Sequence, residues 1–387
     1  MNFEEIKITD ETYGAKTFSR FPVAFAGGHG ATLIDTAGKE YVDFGAGIAV
    51  NIFGANDGEW KQAVIGQLNK VQHVSNLYYC EPQAELMRLL CERTGAKRVF
   101  FGNSGAEANE CAFKAARAYS FKKYGAGRHK IVTLKNSFHG RTLFTLTATG
   151  QDAFHTLFDP FVSGVDYADA NMASIRKVAD RSTCAVAIEC VQGESGVIPL
   201  EREFVRALES YCKERDILLI VDEVQTGNGR TGKLYAYEHY GVSPDLVTTA
   251  KGIAGGLPLG ACLFFGKTEN AFAPGEHGST FGGNPVCCAA AVNVVNRLTE
   301  EFLLEVQGKA EYLRAKLKGF DGVKEVTGLG MMIGLAIEKS AKEVAEACLK
   351  KGLLVLTAHG RVRIVPPLTI TKREMDEGLS ILKEVLK

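Results

Sequence analysis

Four stretches of the chain are rich in aliphatic and β-branched residues and of strand length. They are Ile131-Val132-Thr133-Leu134, Ala185-Val186-Ala187-Ile188, Ile217-Leu218-Leu219-Ile220-Val221 and Asp245-Leu246-Val247-Thr248-Thr249. β-Branched and aliphatic runs without polar alternation predict strands buried on both faces, as in a parallel sheet with helices on either side. Between them, helical spacing appears over Gly54–Gln72, over Glu81–Arg93 through Leu86, Leu89 and Leu90, and over the Ala-rich Ala108–Tyr119 and Val205–Arg215. With Val99-Phe100-Phe101 as a further short strand, strands and helices alternate from about residue 98 to 252. That alternation predicts an α/β fold with a mainly parallel central sheet flanked by helices.

The flanks read differently. Residues 1–45 predict an extended N-terminal arm with short strands, Ala31–Asp35 and Glu40–Phe44 flanking a Thr36-Ala37-Gly38-Lys39 hairpin turn. Toward the C-terminus, Leu298–Leu317 predicts one long amphipathic helix with Leu303, Leu304, Leu313 and Leu317 on its apolar side. Strands are expected at Val323–Val326, Met332–Ile337 and Val362–Val365, and helices at Ala341–Lys351 and Lys372–Leu386. The expected division is an arm belonging to the small domain (1–45), a large domain (46–284) and a smaller α+β domain (285–387), hinged near Asn284-Pro285.

Composition narrows the function classes. A chain of 387 residues can bury a large core and divide in two. Its 45 Lys+Arg balance its 45 Asp+Glu, which argues against nucleic acid or an anionic membrane as partner. The ten cysteines show no Cys-x-x-Cys spacing, as expected of free thiols serving as apolar filler in a reducing cytosol. The eight histidines form no ligand motif, so no metal is expected. The acidic start Met1-Asn2-Phe3-Glu4-Glu5 lacks the apolar segment of a secretory leader, and no apolar run is long enough to span a membrane. A cytoplasmic location is the expectation.

In parallel sheets, ligands sit beyond the carboxyl ends of the strands. Asp222 and Lys251 each follow such a strand. A carboxylate and an amine at one crevice fit Schiff-base chemistry, with the carboxylate against a protonated pyridine nitrogen. Taken alone, an ion pair or a solvated loop accounts for them more plainly. Ser104, with Glu107 three residues on, opens the helix after Val99–Phe101 with capping-box spacing, and free N–H groups there would suit a phosphate. An ordinary capped helix has the same sequence. Phe138-His139-Gly140-Arg141 offers a ring to stack and a guanidinium to clamp a carboxylate, or simply a core Phe and a surface Arg. Glu189 and Gln192-Gly193-Glu194-Ser195-Gly196 follow the Ala185 strand. Gly227–Gly232 matches G-x-G-x-x-G without a following helix, and Gly260–Thr268 is a P-loop one residue too long, so neither is read as a nucleotide site.

Six separated stretches, in order, resemble the class III (subgroup II) aminotransferases of fold type I, which depend on pyridoxal 5'-phosphate. They are Asn103–Glu110, Phe138–Thr142, Val191–Glu194, Asp222–Gly227, Thr248–Lys251 and Thr280–Pro285, and the resemblance extends through Arg361–Leu368 to cover essentially the whole chain. It implies Lys251 as the Schiff-base lysine and proton shuttle, and Asp222 as the partner of the ring nitrogen. It further implies that Gly105, Ala106, Phe138, Glu223, Val224, Gln225 and Thr280 surround the cofactor. Of these, Gln225 is assigned to the ring hydroxyl, and Thr280 would reach the phosphate of a partner subunit in a homodimer. Arg141, with Ser279 nearby, would grip the α-carboxylate. Arg363 would take a carboxylate of glutamate or 2-oxoglutarate, masked by Glu194 when an ω-amine substrate is bound.

Phe138–Thr145 and the compact length are most similar to members acting on N-acetylornithine with 2-oxoglutarate. Ornithine, succinylornithine, succinyldiaminopimelate and 4-aminobutyrate remain alternative donors, and a catalytically silent binding protein on the same fold is the rival from another class. The chain departs from the family's usual residues at Cys190, Ser195 and Asn228.

Overall fold

The apolar runs assemble into one seven-stranded sheet in the structure, a computed structural model describing residues 1–387. Numbered along the chain, its strands are β1 (Arg98–Gly102), β2 (Lys130–Leu134), β3 (Val165–Ala168), β4 (Thr183–Ile188), β5 (Leu218–Asp222), β6 (Leu246–Thr249) and β7 (Gly260–Phe264). Their order across the sheet is β1-β7-β6-β5-β4-β2-β3. Pairing is parallel except at β7, which runs antiparallel to both β6 and β1.

Successive strand residues face opposite sides, so each run feeds two cores. Leu219 and Val221 of β5 enter the larger one, Leu218 and Ile220 the smaller, and in β4 Val186 and Ile188 divide from Ala185 and Ala187 in the same way. The helix Gly105–Tyr124 covers the smaller-core face through Cys111, Ala112, Ala115 and Ala116, whose short side chains permit a close approach. At about 1.5–3 kcal/mol per buried aliphatic side chain, the four of β5 contribute on the order of 6–12 kcal/mol. That exceeds the several kcal/mol that burying the charge of Asp222 at the strand end costs.

The N-terminal arm is not extended throughout. Phe3–Tyr13 is a helix held by a reciprocal capping box between Asn2 and Glu5, and it buries none of its side chains, so apolar periodicity gave no sign of it. Strands Phe25–His29, Thr32–Asp35 and Glu40–Asp43 then join Leu353–Leu354 in a four-stranded sheet. A second, antiparallel sheet orders Val323–Leu329, Met332–Ile337, Arg361–Ile364 and Leu356–Ala358.

The helix expected over Leu298–Leu317 is present as Glu300–Lys318, and a helix that the sequence reading did not include, Pro285–Arg297, precedes it. Pro285–Arg297, capped by Asn284, packs on the Gly58–Leu68 and Glu81–Thr94 helices, and Glu300–Lys318 starts afresh from Thr299. The first helix is apolar nearly all round, which erases the amphipathic period. On the second, Leu303, Leu313 and Leu317 are buried while Leu304, one residue off the stripe, is exposed. All ten cysteines are free thiols, eight of them buried as filler. No helix is long and apolar enough to cross a membrane.

Candidate active site

The carboxyl ends of β1, β2, β4 and β5 and the turn after β6 open on one cavity of about 370 Å³. Asp222, the last residue of β5, is buried at its floor. Its Oδ2 accepts from Asn109 Nδ2 at 2.7 Å and from His139 Nδ1 at 2.8 Å, and its Oδ1 accepts from the Val224 N–H at 2.9 Å. Asn109 is held in turn by the Thr248 hydroxyl, which donates to its Oδ1 at 2.6 Å. Burial alone would lower the proton affinity of His139, but the touching Asp222 carboxylate outweighs it and raises it. Glu189 completes the floor, accepting the Phe138 N–H at 2.9 Å, and burial pushes its carboxyl up.

Lys251 stands across the same cavity, two residues beyond β6. It opens a short 3₁₀ turn, Lys251–Ala254, with φ +46°, a backbone region that L residues rarely adopt. The side chain is enclosed by protein but keeps part of its surface open to the cavity. Burial lowers its proton affinity, partly opposed by Glu194 and Asp222, so the neutral amine is more accessible than in water.

Gly105 and Ala106 begin the helix after β1, where no carbonyl lies a turn below to receive their N–H groups. The capping box is one-sided. Ser104 Oγ accepts from the Glu107 N–H at 3.2 Å, but the Glu107 carboxylate turns to Asn103, taking its N–H at 2.5 Å and its Nδ2 at 3.0 Å. Gly105 has to be glycine, because a Cβ there would lie 2.6 Å from Val224 Cγ1. Phe138, half-buried, lines the cavity and packs edge-on against Phe154.

Arg363 and Glu194, 169 residues apart in the chain, meet beside the cavity, with Nη1 to Oε1 at 2.5 Å. Gln225 bridges them, its Nε2 donating to Glu194 at 3.2 Å and its Oε1 accepting from Arg363 at 3.3 Å. The partners fix the amide's orientation, since a carboxylate only accepts and a guanidinium only donates. Burial would push the Glu194 carboxyl up, but Arg363 overcomes that and holds it below its ordinary value. Ser195 takes no part in the pair, its hydroxyl turning back to the Gln192 carbonyl.

Other expected site residues lie elsewhere. Glu223 faces away from the cavity, where it accepts from Thr226 Oγ1 and the Tyr237 N–H, and burial pushes its carboxyl up to about 7. Adjacent residues point to opposite sides, so Asp222 and Glu223 cannot both face the cofactor pocket. Arg141 is exposed at the rim, stacked 4.3 Å from the Phe154 ring centroid and making no salt bridge. Ser279 Oγ accepts from Asn103 Nδ2 at 3.1 Å, and Thr280 is exposed outside the cavity. Sequence reasoning missed Asn109, Thr248 and the bond from His139 to Asp222. Asn109 had a signal, being a polar residue on the Ala-lined buried face of its helix.

The donor set suits pyridoxal 5'-phosphate: unpaired N–H groups at a helix start, a buried carboxylate and a buried amine on one cavity. The sequence profile described as Aminotransferase class-III matches residues 13–386. The chain is 47% identical to the acetylornithine aminotransferase of Haemophilus ducreyi over 100% of this chain and 99% of that protein. Among solved structures, the N-acetylornithine aminotransferase of Stenotrophomonas maltophilia K279a superposes with TM-score 0.84 at 32% identity, over 98% of each chain. The ornithine aminotransferase of Toxoplasma gondii ME49 superposes with TM-score 0.93 at 28% identity, over 100% of this chain and 95% of that one.

Proposed function

The chain belongs to the class-III aminotransferases, and from that premise we infer that it moves the terminal amino group of N-acetylornithine to 2-oxoglutarate. The products are N-acetylglutamate 5-semialdehyde and glutamate, a step of arginine biosynthesis. The observation that carries the reading is the placement of a buried amine, Lys251, and a buried carboxylate, Asp222, on one cavity. When bound, pyridoxal 5'-phosphate supplies an aldehyde that takes up an amine and a pyridinium that draws electrons from the carbon losing its proton.

Each residue then has a task. The N–H groups of Gly105 and Ala106 hold the phosphate, assisted by the positive end of the helix. Asp222 keeps the ring nitrogen protonated, and Asn109 and His139 keep Asp222 in place. Phe138 and Val224 wall the ring pocket. Lys251 Nζ would hold the cofactor's aldehyde carbon, and as a free amine it would take the proton from the substrate carbon and return it elsewhere. Its lowered proton affinity leaves it free to accept.

Arg141 lies at the mouth without a carboxylate partner, suited to the α-carboxylate of the donor. Glu194 neutralises Arg363 while the ω-amine donor is bound and gives way to the second carboxylate of 2-oxoglutarate. The site is completed in a homodimer. Thr280 is exposed beside Leu77, Tyr79 and Phe281, a patch of apolar side chains left open to solvent.

The test is a half-reaction panel. N-acetylornithine, ornithine, succinyldiaminopimelate and 4-aminobutyrate are added singly to the cofactor-loaded protein, and loss of its visible absorbance is timed. N-acetylornithine is expected to react fastest. A faster reaction with 4-aminobutyrate or ornithine overturns the substrate assignment. Failure of borohydride to fix the cofactor on Lys251 overturns the mechanism.

A further inference from the structure

Asn228 lies in the glycine-rich turn that matches a dinucleotide-loop pattern. It is 1% exposed and holds a left-handed backbone, φ +57°. Its side chain neither touches the cavity nor points to solvent. It reaches instead to the end of β6, donating from Nδ2 to Thr249 Oγ1 at 2.9 Å and to the Ala250 carbonyl at 3.1 Å. The orientation is fixed by chemistry, because a carbonyl can only accept and the reversed amide would set two oxygens against each other. The amide's other end, Oδ1, is buried with no partner. A buried polar atom left unsatisfied costs stability, so an apolar side chain would serve better here if filling space were all that mattered.

The peptide it holds is the one that enters Lys251. The Ala250 carbonyl also accepts from the Ile253 N–H at 3.2 Å, closing the turn on which Lys251 sits. Lys251 has a positive φ, a conformation that persists only when its surroundings over-determine it. The lysine's flexible side chain has no hydrogen bond to fix it, so the backbone at 249–251 sets where Nζ can reach. We propose that Asn228 is a positioning residue for Lys251, clamping the peptide before it so that the amine meets the cofactor's aldehyde at the right place. This rests on the assignment of Lys251 as the lysine that binds the cofactor. It puts a determinant of cofactor capture 23 residues before that lysine, on a loop outside the cavity.

The test follows capture of pyridoxal 5'-phosphate by the apo-protein, read as growth of the visible band and as mass added at Lys251 after borohydride reduction. Asn228→Leu keeps the γ-branched shape and removes the amide's donors. It is expected to slow capture and hasten release of the cofactor by about tenfold in their ratio, the weight of one or two hydrogen bonds. Thr249→Val removes one acceptor and is expected to give part of the effect, and it serves alone if Asn228→Leu does not fold. Thermal midpoints of the apo-proteins separate positioning from stability. Capture and release within twofold of the native protein, whatever the midpoint, overturn the proposal. Native protein that captures no cofactor at Lys251 overturns the functional assignment instead, so the two failures are distinguishable.

Discussion

Two neighbouring carboxylates, Asp222 and Glu223, show how much one residue of register decides. Asp222 faces the cavity with Asn109, His139 and Val224 on its oxygens, while Glu223 is sealed on the other side by Thr226 and Tyr237. Asp222→Asn keeps the shape and removes the charge proposed to hold a proton on the ring. Its kcat is expected to fall about 10²-fold or more, as when a preorganised charge is lost from other active sites, while circular dichroism shows a folded chain. Glu223→Gln is expected to leave cofactor retention within twofold. Its effect is on pH dependence. Burial lifts the Glu223 carboxyl from 4.5 to about 7, so the folded chain binds that proton more tightly than the unfolded one. Its contribution to stability is complete below 4.5 and is lost as pH rises toward 7. In the variant, thermal midpoints measured across that range should fall less with rising pH.

At the scale of elements, the site depends on how closely the start of the Gly105–Tyr124 helix approaches the turn after β5. A Cβ on Gly105 would lie 2.6 Å from Val224 Cγ1. Gly105→Ala is therefore expected to cost about 1–3 kcal/mol, the usual penalty for overpacking, seen as a lower thermal midpoint and weaker retention of pyridoxal phosphate. Gly105→Ala with Val224→Ala should recover most of the midpoint, because the colliding methyls are gone. No recovery would mean that the glycine is needed for its backbone alone. The Glu194–Arg363 pair is also a relation between elements. It links the turn after β4 to a strand of the C-terminal sheet, and Gln225 of the turn after β5 joins both.

On the scale of the whole molecule, the C-terminal part is tied to the large sheet through Arg230. Its guanidinium is fully buried, and Nη1 donates to the carbonyls of Met331 and Pro366. Burial draws its proton affinity down to about 9, opposed by Asp43. The other large-scale feature is the apolar surface around Leu77, Tyr78, Tyr79 and Phe281. Asn76 Nδ2 holds the 279–282 loop by donating to the Ser279 and Gly282 carbonyls, so the patch is one surface built from two segments. Sedimentation is expected to find a dimer. Tyr79→Asp should shift it toward monomer and weaken cofactor retention together, since Thr280 would no longer reach a neighbour's site. A monomeric variant with undiminished retention would separate the dimer from the active site.

The sequence by itself determined five of the seven strands of the large sheet, the α/β class and the strand ends at which Asp222 and Lys251 stand. The runs ending at Asp222 and Thr249 are local patterns of period and length, and they stay the same wherever the strands are placed. The helices at Phe3–Tyr13 and Pro285–Arg297 escaped it, because a helix that buries none of its side chains and one that is apolar nearly all round both lack a clear amphipathic stripe. Tertiary structure alone decided the company each site residue keeps: Asn109, Thr248 and His139 around Asp222, Glu194 against Arg363, and Asn228 on the peptide before Lys251. Those contacts follow from the order of strands in the sheet, with β7 reversed between β6 and β1. Burial makes every polar group on the inward loops find a partner, and the partner is whichever side chain the strand order brings within reach.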